Sequence, residues 1–134
     1  MGRVFLAFLV FGLMACGDSP TEPEDVPGTY NLQIVNERSL PFFTSSSITG
    51  LRTYITAWSI TLNQDMTCSE SVEWRYTDLI FRFFENTKTD VCTYTFDDGA
   101  ITLTFSASAK ILTGSMSGSS LTITDDGDVF VFER

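Results

Sequence analysis

After an apolar opening run, apolar and polar positions along this chain alternate with a period of two. Positions 4–14 carry no charge and follow Met1-Gly2-Arg3. From Pro27 onward the alternation is that of strands with one buried face. Tyr30, Leu32 and Ile34 alternate with Asn31, Gln33 and Val35. Tyr54, Thr56, Trp58, Ile60 and Leu62 share one face of a second run, with Ile55, Ala57, Ser59 and Thr61 on the other. Val72, Trp74 and Tyr76, then Ile101, Leu103 and Phe105, then Leu121 and Ile123 repeat the pattern. It predicts strands over 29–36, 53–62, 67–77, 79–85, 91–96, 101–106, 111–116, 121–124 and 129–132. No helical stripe follows the opening run.

Turn residues punctuate these runs. Asp97-Asp98-Gly99 and Asp125-Asp126-Gly127 sit between alternating segments, where aspartate and glycine take the positive φ of a tight hairpin. Asn63-Gln64-Asp65 and Ser117-Gly118-Ser119 play the same part. Short strands joined by short turns predict an all-β fold, a small up-and-down antiparallel β-barrel of about eight strands, because closure removes exposed edges. A β-sandwich is the alternative. The stretch 38–50 is the long exception, read as a connection whose Leu40-Pro41-Phe42-Phe43 covers one barrel end.

The opening segment has the charged start and short apolar run of an export signal, and falls well short of the roughly 20 residues of a membrane-spanning helix. Its end, Leu13-Met14-Ala15-Cys16, resembles the lipobox of bacterial lipoproteins. That resemblance implies lipid on the Cys16 thiol, cleavage before it, and attachment to a membrane through the lipid. Segment 17–27 holds three prolines and four acids with almost nothing apolar, the composition of an extended tether. The organisation expected is thus a signal peptide over 1–15, a lipidated tether over 16–27 and one folded domain over 28–134. By analogy with lipoprotein sorting, Gly17 directly after the cysteine favours the outer over the inner membrane.

Charge and cysteine content narrow the partners. A formal charge of −9, with 17 acids against 8 bases, argues against nucleic acid and anionic surfaces as partners and suits a cationic protein, with solubility alone as the alternative. Cys68 and Cys92 are expected to form a disulfide in the oxidising envelope, with two separate buried thiols as the alternative. Such a bond would contribute roughly 3 kcal/mol by closing its loop.

Gly28-Thr29-Tyr30, Leu40-Pro41, Thr113-Gly114-Ser115-Met116-Ser117-Gly118 and 121–127 with Phe130-Val131-Phe132 together resemble small lipocalin-like lipoproteins of the bacterial envelope. The resemblance implies a small barrel with room for an apolar-ligand role, in a group mostly of unassigned function. Tyrosine stands where the Gly-x-Trp opening of lipocalins has tryptophan.

Catalytic chemistry is hard to place. The chain has no histidine, which removes histidine triads and most zinc sites. Asp97-Asp98 and Asp125-Asp126-Gly127-Asp128 are explained by hairpin turns and lack the oxygen spacing of a calcium loop. Lys110 near Ser106 and Ser108 matches no serine–lysine motif. The expectation is a monomeric, non-enzymatic protein without cofactor or metal. Tyr54, Trp58, Trp74, Tyr76, Phe96 and Phe105 are the candidate lining of an apolar-ligand site, with a core filled by its own side chains as the alternative. Segments 79–84 and 129–132 are apolar on both faces and point to a protein contact.

Overall fold

A computed structural model of the chain describes residues 26–46, 50–77, 80 and 82–134. Residues 1–25, with the expected signal segment, Cys16 and nearly all of the expected tether, lie outside the described residues. Among the described residues there are ten strands: β1 (Gly28–Val35), β2 (Arg38–Ser39), β3 (Phe42–Ser46), β4 (Arg52–Leu62), β5 (Thr67–Thr77), β6 (Phe83–Asp97), β7 (Ala100–Phe105), β8 (Ile111–Ser117), β9 (Ser120–Asp125) and β10 (Asp128–Glu133). Eight of them close a ring in the order β1-β10-β9-β8-β7-β6-β5-β4, and the β1–β4 pairing completes it. All pairings are antiparallel, so the fold is the closed up-and-down barrel and not the sandwich. β2 and β3 lie outside the ring, on β1 and β4.

The hairpin chemistry explains the connectivity. Asp98 and Gly99 take φ of 46° and 80°, Asp126 and Gly127 take 51° and 90°, and Asn36 and Glu37 take 49° and 66°. Two successive positive φ values give the twist that matches antiparallel strands. Met66, at φ 65°, ends the longer β4–β5 connection, where Asp65 accepts from the Thr67 backbone N–H at 3.0 Å.

Inward residues fill the ring. Tyr30, Ile60, Leu103, Leu121, Ile123 and Phe132 are completely buried. One end is sealed: the Tyr30 hydroxyl donates to the Val26 carbonyl at 2.7 Å, and the Tyr94 hydroxyl donates to the Asn63 carbonyl at 2.7 Å. Cys68 and Cys92 face each other across β5 and β6, buried and disulfide-bonded, with Cα atoms 4.8 Å apart. The separate-thiol alternative is thereby set aside.

Three expectations need correction. A bulge between Leu32 and Ile34 shifts the β1 phase, so Ile34 turns outward and Val35 inward. A second, between Ile55 and Ala57, buries Ile55 and turns Tyr54 to the outer face. A strict period of two cannot survive an inserted residue. The predicted strands 79–85 and 91–96 also differ from what is seen: β6 runs unbroken through Asn86-Thr87-Lys88-Thr89-Asp90. That piece looked like a connection because it lies beyond the barrel wall, where few of its side chains need to be apolar. Finally, 38–50 carries two strands, although Leu40 and Phe42 do pack against the core as a cover would.

Candidate functional site

β4, β5 and β6 outrun the wall they belong to. β7 pairs only with Cys92–Asp97 of β6, and β1 reaches only Ser59–Leu62 of β4. The remainder of the three strands, with β3 added, projects as an arm from the barrel end opposite the sealed one. Phe42, Ile55, Val72 and Trp74 continue the inward face of the barrel along this arm. Its outer face carries Tyr54 against Phe43, with ring centroids 5.5 Å apart, and Arg75 paired with Glu85 at 3.0 Å and lying over Phe83.

Where the arm leaves the wall, the inward positions turn polar. Glu70 and Asp90 are cross-strand partners, directly above the disulfide pair. Lys110 occupies the inward position beyond Phe105, whose N–H donates to the Lys110 carbonyl at 2.9 Å, and its ammonium binds the Asp125 carboxylate. Beside this rim, opposite Val72, Trp58 meets Phe130 and Phe132 edge to face, at 5.0 and 5.3 Å between centroids.

The rim is imperfectly satisfied. Asp90 is only 6% exposed; its Oδ1 accepts from the Val91 N–H at 2.9 Å, while Oδ2 has no donor. The Trp58 indole N–H, equally buried, also completes no hydrogen bond. Buried polar atoms without partners are uncommon and call for an explanation. Burial raises the Glu70 carboxyl above its ordinary value of 4.5; Lys110 and Lys88 oppose the rise, Asp90 adds to it, and the Trp58 indole directed at it lowers it slightly. An acid whose folded value is raised loses folded-state stability as pH climbs through its unfolded value toward the folded one. Glu70→Gln should therefore match the wild type in strong acid and gain on it as the pH rises above about 4.5. Melting temperatures of both proteins across that range check this; a constant difference between them contradicts it.

The sequence-predicted residues separate into four places. Phe105 lies buried opposite Cys92 and Trp58 buried opposite Val72, and Trp74 is half-buried on the inner face of the arm. Tyr76 sits further along that face, opposite Phe84 and Thr53. Phe96 packs against the core near the sealed end, paired with Ile101, far along β6 from the mouth. Tyr54 is on the outer face of the arm. The six residues do not form one lining. Glu70 and Asp90 were missed, although the sequence held a signal: each is the charged residue in an otherwise inward phase, Cys68-x-Glu70-x-Val72 and Asp90-x-Cys92-x-Tyr94.

The arm also presents a free edge. Among the described residues nothing pairs with β6 on the side away from β5 between Phe83 and Asp90. The Val91 carbonyl accepts from the Ser106 N–H at 3.3 Å. By antiparallel alternation Phe83, Glu85, Thr87 and Thr89 turn their backbone groups toward the same, open side. Around it Ile80, Phe83, Phe84 and Val91 are well exposed, Phe83 at 63% and Val91 at 64%. Away from the arm, the β1 bulge leaves Ile34 beside Val129 and Val131, lining a shallow outer groove of about 600 Å³ with Asn36 and Glu37.

No family model matches the chain, and neither a curated protein nor a solved structure does. Fold and site together define a closed eight-stranded antiparallel barrel with a packed interior and a projecting four-stranded arm.

Proposed function

We propose that the chain is a lipid-anchored, non-enzymatic lipoprotein of the bacterial cell envelope, lipocalin-like in fold, that acts by binding another protein through its arm. The observation that carries this reading is the unpaired stretch of β6 flanked by exposed Ile80, Phe83, Phe84 and Val91. An edge strand offers a row of unpaired backbone donors and acceptors, which an extended partner segment can complete. The chain's charge of −9 selects a cationic partner, a hydrolase of the lysozyme type being one such protein, and speeds the encounter. An apolar ligand held within the barrel is less well supported. Tyr30, Ile60, Phe105 and Phe132 already fill the space below the mouth.

Thr87→Pro tests the reading cleanly. The Thr87 N–H faces the open edge, so proline costs no internal ladder bond, yet it blocks strand addition. The full-length variant should melt with the wild type and lose salt-sensitive binding to lysozyme and to cationic envelope proteins. Equal binding by both proteins would sink the arm as the contact. In the same preparation Cys16→Ser should release the protein from membranes, and persistent membrane partitioning counts against the anchor.

A further inference from the structure

We propose that the Glu70–Asp90 pair at the barrel mouth binds the ammonium group of a small organic amine, a site independent of the arm edge. The first support is the unpartnered Oδ2 of Asp90, on a side chain more than nine-tenths buried. A buried carboxylate oxygen left without a donor is a standing cost to the fold. The second is the placement of Glu70 directly across the β5–β6 ladder from it. Carboxylates facing each other on adjacent strands repel unless a cation lies between them.

The protein does not supply that cation itself. Lys110 is held by Asp125, and Lys88, two residues from Asp90 on the same strand face, is exposed and reaches neither carboxylate within hydrogen-bond distance. Calcium fits poorly: it takes six or more oxygen ligands, and no group of three or more ligating side chains occurs among the described residues. An ammonium suits two carboxylates better, since it brings three directed N–H donors and one charge. The Trp58 indole N–H, buried in the core, is directed at Glu70 without completing a hydrogen bond to it, which favours the charged carboxylate that an ammonium pairs with. Val72 and Trp74, on the inward face one step toward the arm, would hold the carbon skeleton.

The test uses the full chain with butylammonium as probe, followed by isothermal titration and by the fluorescence of the two tryptophans. Wild type should bind saturably. Tetramethylammonium, equal in charge but without N–H donors, should bind at least about tenfold more weakly. Asp90→Asn keeps the Oδ1 acceptor for the Val91 N–H while removing the charge. It should weaken butylammonium by about tenfold or more and, without ligand, raise the melting temperature. Glu70→Gln serves as the second variant if Asp90→Asn folds poorly, with the same loss expected. Absent saturable binding, equal affinity for tetramethylammonium, or unchanged affinity in the variants would each overturn the proposal. So would binding that emerges only after Lys88→Met, which would show that the lysine fills the pair in the native protein.

Discussion

Phe132→Ala should destabilise the domain by about 3–5 kcal/mol, among the largest effects available from a single truncation. Its ring is completely buried and meets Trp58 edge to face, 5.3 Å between centroids at 83°. Trp58 in turn packs on Phe130, so one truncation opens a void beside two other aromatic rings. The aromatic pairing adds about 0.5–1.5 kcal/mol beyond the area lost. β10 is also a central strand of the ring, between β1 and β9, and its neighbours cannot collapse inward without breaking ladders on both sides. Denaturant unfolding checks this, with the midpoint falling and the slope unchanged. Phe83→Ala is the matched control: that ring is mostly exposed, and its loss should change stability by less than about 0.5 kcal/mol. Equal costs at the two positions would show that the barrel interior is not where the stability resides.

The contrast between these two phenylalanines marks how far the sequence is legible. Alternation places Phe105 inward with Ile101 and Leu103, because the barrel wall imposes a period of two wherever one face is buried, whereas Phe132 lies in a run apolar on both faces and is given no side by it. The hairpins at Asp98-Gly99 and Asp126-Gly127 were readable for the same local reason, a positive φ that few residues tolerate. Closure by β1 against β4 is non-local, and only the economy of a barrel pointed to it. Phase failed where a bulge intervened. Ile34, Val35, Tyr54 and Ile55 all fell on the wrong side of the sheet, since an inserted residue changes the count without changing composition.

The candidate site was harder for a different reason. Glu70 and Asp90 lie in strands whose other inward residues are apolar, and taken singly a charged residue in a strand looks like a solvent-facing one. Their significance comes only from the register that sets them opposite each other. The arm was hidden as well, because 86–90 is polar on both faces and so lacked any period. What the residues did disclose was the unusual apolar content of 79–84, described at Ile80, Phe83 and Phe84 as an exposed surface. That exposure is the expected signature of a contact region and would be a liability on a protein that met no partner.

Gly114→Val is the other substitution expected to act strongly, and intrinsic preference would forecast the opposite sign. Valine is among the best strand formers and glycine among the poorest, a difference of about 1 kcal/mol in favour of the change. Gly114, however, holds an inward place on β8 between Leu112 and Met116, flanked by Ile101 on β7 and Ile123 on β9. A Cβ there would collide with the Thr122 carbonyl oxygen and stand 3.2 Å from the Ile123 Cγ1. The first obstacle is backbone, which cannot rotate away as a side chain does, so β9 must move and its ladders to β8 and β10 with it. Overpacking of this kind costs about 1–3 kcal/mol even where side chains can yield. In a domain of this size each kcal/mol lowers the melting temperature by about 4–8 °C. A fall of at least about 10 °C is therefore expected for valine, with alanine close behind because the collision begins at the first carbon. A rise in melting temperature with valine would mean that β8 and β9 lie further apart at this point than the close approach requires.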